Sequence, residues 1–134
     1  MAQSAATAIS AMRGRRVAAP LTAGTHLPAM LVIHGSADPI VAPRNGADAA
    51  RAWAATTGAK ASLPRTVQRG NRYAATVTDY RTRGRVVATF CEVNGLGHAW
   101  SGGAAGRAYS DPKGPDASRM IWAFASRQFA LSRP

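Results

Sequence analysis

Cys91 is the only cysteine in the chain, so it can form no internal disulfide and no cysteine-based metal site. Within an apolar stretch it reads as a small buried residue rather than a nucleophile. Acidic residues are scarce: six Asp plus Glu stand against seventeen Lys plus Arg, a formal net charge of +11, and most of the positive charge is arginine. A balance that basic raises nucleic acid or an anionic surface as partner. The arginines are scattered, however, as Arg13, Arg15 and Arg16, then Arg65, Arg69 and Arg72, then Arg81, Arg83 and Arg85. No group makes a continuous basic helix face, and neither zinc-finger spacing nor an RNA-binding aromatic motif accompanies them. The expectation is solvated charge and no specific nucleic acid. Nor does any apolar run approach the ~20 residues that cross a bilayer, and the start lacks a basic region followed by an apolar one. No membrane span and no signal peptide are therefore expected in the chain as written.

What is present is globular composition, 46% hydrophobic and 17% charged residues, in a length that suits one domain over residues 1–134. An alanine-rich stretch over 2–13, with Ala8, Ile9 and Met12 at helical spacing and Gly14 as its stop, predicts a helix. Residues 15–28, with Pro20, Gly24 and Pro28, predict a loop. The nearly continuous apolar run over 29–34 then suits a strand covered on both faces, as in a parallel sheet. Gly35 to Pro39 end it. After Pro43 a helix is expected over 45–57, from Ala47, Ala50, Trp53 and Ala54, closed by Gly58. Residues 59–71 read as an exposed loop. Strands over 73–80 and 86–93, joined by a Gly84-containing turn, predict a hairpin. Residues 102–115 predict a long surface loop. Residues 116–131 predict a last helix with Met120, Ile121, Phe124 and Phe129 on one broad apolar face. The sum is an α/β architecture, a mixed and mostly parallel sheet flanked by helices. With only about three strands and three helices on offer, that sheet looks incomplete.

Two residues carry the chemistry. His98 lies between Gly97 and Ala99, in the run Gly95 to Gly103 directly after a predicted strand. An imidazole that moves protons needs such a seat, a strand-end loop with small neighbours. Asp38 stands on the loop after the buried strand. Ligands of open α/β sheets bind beyond the carboxyl ends of the strands, so both side chains can reach one crevice. Acid before histidine is also the order of the last two members of an α/β-hydrolase triad, in which the serine comes first. His34, at the strand end before the aspartate loop, is assigned a structural place.

The run Leu31-Val32-Ile33-His34-Gly35-Ser36-Ala37-Asp38-Pro39-Ile40-Val41, with Pro43 to Gly46 after it, resembles the aspartate loop of esterases in the polyhydroxybutyrate depolymerase family. Gly95 to Gly103, followed by Tyr109-Ser110-Asp111-Pro112 and Gly114-Pro115-Asp116-Ala117-Ser118, resembles that family's histidine loop and the start of its final helix. The likeness runs over most of residues 2–130. It implies the C-terminal portion of an α/β-hydrolase fold, without cofactor or metal, acting on carboxylic esters. The substrate classes it implies are poly(3-hydroxybutyrate), short oligoesters and feruloyl-type esters. Carried over, Asp38 is the acid that orients the imidazole, His98 the general base, and Trp100 an apolar wall for the substrate. The resemblance also implies a secreted or periplasmic protein, whose signal peptide would lie upstream of Met1.

The departure from that family is the nucleophile. No Gly-x-Ser-x-Gly elbow occurs in the 134 residues. Ser101 is a poor substitute, three residues from His98 on a loop, and turn chemistry accounts for Ser36. The chain therefore reads as one partial domain that supplies acid and base but not the nucleophile, and that turns over no ester alone. An exposed sheet edge and face would then favour self-association. The alternative is a catalytically inactive remnant acting as a basic binding or interaction module.

Overall fold

The computed structural model of the chain describes residues 4–15 and 27–132. The start of the first expected helix and most of the expected 15–28 loop lie outside them. Within them the elements are α1 (Ala5–Met12), β1 (Met30–Gly35), α2 (Pro43–Ala55), β2 (Lys60–Ala61), β3 (Arg65–Val67), β4 (Ala75–Thr82), β5 (Arg85–Val93), β6 (Trp100–Ser101), β7 (Ser110–Asp111) and α3 (Ala117–Leu131). The protein is mixed α/β.

The main sheet has the order β1-β5-β4-β2, with β3 also paired to β4. β1 runs parallel to β5, with Met30 beside Ala88 and Gly35 beside Val93. The other pairings, β4 with β5, β2 and β3, are antiparallel. The sheet is mixed as expected but not mostly parallel, because the hairpin and the segment after α2 both fold back onto β4. Residues 59–71, expected as loop, supply β2 and β3. Both are short and exposed, and they exist through pairing to the outer edge of β4 rather than through any apolar pattern of their own. The surface loop after Gly102 is likewise pinned by a parallel bridge between β6 and β7. The β4–β5 hairpin closes through Arg83 and Gly84, at φ of 49° and 77°. Positive φ at both central residues gives the primed turn that matches strand twist.

Register separates the two faces of the sheet. Leu31, Ile33, Cys91, Val93, Val77 and Ala75 share one face. There Cys91, Val93, Val77, Ala75 and Leu96 form the buried core, with Ile33 and Met120 of α3 packed against it. Val32, His34, Ala88 and Phe90 share the other, which α2 covers with its buried Ala50 and Ala54. Helices on both faces explain why β1 is apolar without alternation. Gly46 of α2 is a poor helix former, but a Cβ there would lie 2.7 Å from His34 Nδ1 and 3.0 Å from Phe90 Cε2. α1 buries no residue and is held by its C-terminal carbonyls instead. The Asn45 side-chain amide donates to Ala11 O and Met12 O, and Ala42 N–H donates to Met12 O.

α3 departs from expectation. Asp116 caps it by accepting from Arg119 N–H. Of the four residues expected on a buried face, Met120 and Phe124 are half-buried, whereas Ile121 and Phe129 are exposed, as is Trp122. Among the described residues α3 touches the sheet mainly through its first turns, so its outer apolar side has nothing to pack on.

Candidate active site

β1 ends at Gly35, and the next three residues turn so that Asp38 N–H donates to Gly35 O. The Asp38 carboxylate folds back onto its own loop: Oδ1 accepts from Ile40 N–H at 2.8 Å and Val41 N–H at 2.9 Å. Aspartate makes this local turn because its side chain reaches the amides two and three residues on. The second oxygen points across to the loop after β5, where His98 Nδ1 lies 2.9 Å from Oδ2. The carboxylate is 7% exposed and the imidazole 43%. Burial pushes the Asp38 carboxyl up, but the Val41 amide, the His98 hydrogen bond, the Ile40 amide and the charge of His98 together hold it below the usual aspartate range. An ionised carboxylate can only accept, so His98 Nδ1 carries a proton. When the ring is neutral, Nε2 therefore presents a lone pair.

The two loops are sewn together between Asp38 and His98. Ser36 N–H donates to Val93 O, Ala37 N–H to Leu96 O, and Gly95 N–H to Ser36 Oγ. Gly35 permits the approach, since a Cβ there would collide with the Leu96 carbonyl. Gly95, at φ 82°, turns the chain toward His98.

Asp38 and His98 both border a groove of about 520 Å³ on the core face of the sheet. Leu31 and Ile33 of β1, Leu96, Trp100 and Ile121 give it apolar walls. Trp100 stands half-exposed there, its backbone N–H donating to Tyr109 O at 2.7 Å. Tyr109 belongs to a run that carries the resemblance but is given no site role by sequence, yet the β6–β7 bridge sets its ring edge-on to His98, at a centroid distance of 6.0 Å and 87° between planes. It holds φ 54°, strained for a residue with a Cβ.

No family model matches the chain, and no curated protein is significantly similar to it. The chemistry must be read from the groups themselves.

Ser101 is 3% exposed and its hydroxyl donates to Pro115 O at 2.6 Å, so it is structural. Ser36 serves the seam. Among the described residues no hydroxyl hydrogen-bonds His98, and no three His, Cys, Asp or Glu side chains lie close enough to share a metal. The buried Cys91 thiol is pushed up to about 11 by desolvation, which removes it as a nucleophile at neutral pH. His34, which sequence assigns a structural place, has its Nε2 3.1 Å from Val41 O and 3.4 Å from Asp38 Oδ2. No helix among the described residues is long and apolar enough to cross a membrane.

Proposed function

We propose that the chain provides the acid and base of a serine carboxylic ester hydrolase of the polyhydroxybutyrate depolymerase and feruloyl-esterase type, within the C-terminal part of an α/β-hydrolase fold. One observation carries this reading: a 2.9 Å hydrogen bond joins Asp38 to His98 across 60 residues, at the carboxyl ends of two parallel strands and beside an apolar groove. The runs that carry the resemblance in sequence contain this pair and the groove walls Leu31, Ile33, Leu96 and Trp100.

In the proposed reaction His98 Nε2 takes the proton of a serine hydroxyl as the oxygen attacks the ester carbonyl. The imidazolium then returns that proton to the leaving alcohol. In the second half-reaction the ring deprotonates water, which releases the acid and restores the serine. Asp38 holds the tautomer and stabilises the imidazolium without taking its proton. Trp100, Leu31 and Ile33 would lie along the acyl side of the substrate.

The serine and the oxyanion donors are supplied from outside these residues in this reading. The isolated chain therefore forms no acyl-enzyme and also lacks ~3–4 kcal/mol of oxyanion stabilisation. Hydrolysis of p-nitrophenyl butyrate by the chain should equal that of its His98→Ala variant. Turnover that this substitution abolishes would place a nucleophile within the chain and defeat the proposal. Translating the DNA in frame upstream of the Met1 codon tests the same point independently, since a Gly-x-Ser-x-Gly elbow is expected there.

A further inference from the structure

We propose that His34 is a positioning residue for Asp38, acting through Val41. The inference rests on the reading of Asp38 and His98 as acid and base, but its test needs no turnover.

His34 is the last side chain of β1 before Gly35, on the face covered by α2, and it is 11% exposed. Its Nε2 lies 3.1 Å from the Val41 carbonyl. A carbonyl only accepts, so Nε2–H is the donor and the tautomer of His34 is fixed, with Nδ1 turned toward Gly46. Val41 is thereby gripped at both ends. Its C=O receives His34, and its N–H donates to Asp38 Oδ1 at 2.9 Å. The same His34 N–H lies 3.4 Å from Asp38 Oδ2, the oxygen that receives His98. At that distance it acts as a weak second donor, and the Val41 contact is the hydrogen bond proper.

A ring of contacts follows: His34 to Val41, Val41 to Asp38, Asp38 back to His34. It determines where Oδ2 points, and so where His98 must stand to meet it. An aspartate loop without this clasp would keep its Asx turn, but the turn would be free to swing relative to β1. Gly46 belongs to the device, because a Cβ there would lie 2.7 Å from His34 Nδ1 and force the ring out of its present seat.

The test is an NMR titration of the whole chain with ¹³C-labelled aspartate, read together with the His98 ring Nδ1–H signal expected at neutral pH from its hydrogen bond to Asp38. In the unaltered chain Asp38 titrates below the ordinary value of 3.8. His34→Leu removes the donor. The Asp38 midpoint should rise by about one pH unit, since amide donors to the carboxylate are loosened, and the His98 N–H signal should broaden or vanish. His34→Gln, whose amide can still donate to Val41 O, should restore both readings. Gly46→Ala removes no polar group, yet should reproduce the His34→Leu shift by displacing the ring. A purely structural His34 would lower thermal stability in these variants while leaving the Asp38 midpoint and the His98 signal of the folded protein unchanged, and that result overturns the proposal. If His34→Leu does not fold, an unchanged Asp38 midpoint in Gly46→Ala overturns it equally. Failure of the esterase reading would show as missing turnover by the complete in-frame gene product and leave these signals of the chain untouched.

Discussion

Two carboxylates, Asp38 and Asp79, are held below the usual aspartate range in different ways. Asp38 uses two backbone amides and an imidazole. Asp79 is buried on β4, which pushes it up, but Thr89 Oγ1 at 2.8 Å, Arg65 at 2.8 Å and Arg81 at 3.3 Å outweigh that cost. A carboxylate whose folded value is depressed stabilises the fold fully above its unfolded value, near 3.8, and loses that contribution as pH falls through the folded one. The urea midpoint should therefore be flat on the neutral side of that value and drop on the acid side. Asp79→Asn should cost about 1–3 kcal/mol at neutral pH and flatten the acid limb, because both arginine partners are half-exposed and screened. An acid limb identical in the two proteins would contradict this assignment. Arg65 illustrates how such residues hide in sequence. It belongs to a scattered basic segment, and only the pairing of β3 with β4 brings it to Asp79.

At the scale of elements, the seam between the Asp38 and His98 loops is the part that a small change breaks. Gly35→Ala places a methyl against the Leu96 backbone, which cannot rotate away. Overpacking there should cost about 1–3 kcal/mol, and the forced separation of the loops should abolish the hydrogen-bonded His98 ring N–H signal. Gly95→Ala is the contrasting case. It strains a backbone at φ 82° by about 1–2 kcal/mol but meets no neighbouring atom, so the ring N–H should survive. Equal loss of the signal in both variants would mean that general destabilisation, not the seam, governs the pair. β1, α2 and the β4–β5 hairpin are legible in sequence because each couples an apolar run to a turn residue with one backbone role: Pro43 at a helix start, Gly58 after a helix end, Gly84 in a primed turn. Asp38 and His98 are legible for the same reason, each lying directly after such a strand. β2 and β3 are not, since short polar segments become strands only when an edge is offered to them. The clasp of His34 on Val41 is hidden too, because it depends on Gly46 arriving from α2.

For the whole molecule, the edge of the sheet at β1 matters most. Among the described residues β1 pairs with β5 alone, although Met30 to Ile33 are as apolar as a strand paired on both sides. Ile121, Trp122 and Phe129 of α3 are exposed as well. A free apolar edge and an uncovered helix side are both prone to association. We propose self-association through this side, which sedimentation velocity should detect as a concentration-dependent shift to larger species. A monodisperse monomer with a sharp melting transition at every concentration would contradict it. The net charge of +11 opposes association through long-range repulsion, so added salt should strengthen it. Salt would weaken binding to a polyanion, which keeps the two behaviours apart. The central claim is that Asp38 and His98 serve a serine supplied from outside these residues. Its most direct measurement is p-nitrophenyl butyrate hydrolysis by the complete in-frame gene product beside its His98→Ala and Asp38→Asn variants. The account predicts turnover that His98→Ala abolishes and Asp38→Asn lowers about 10⁴-fold. Hydrolysis that survives both substitutions would contradict it, as would a complete product with neither a serine elbow nor activity.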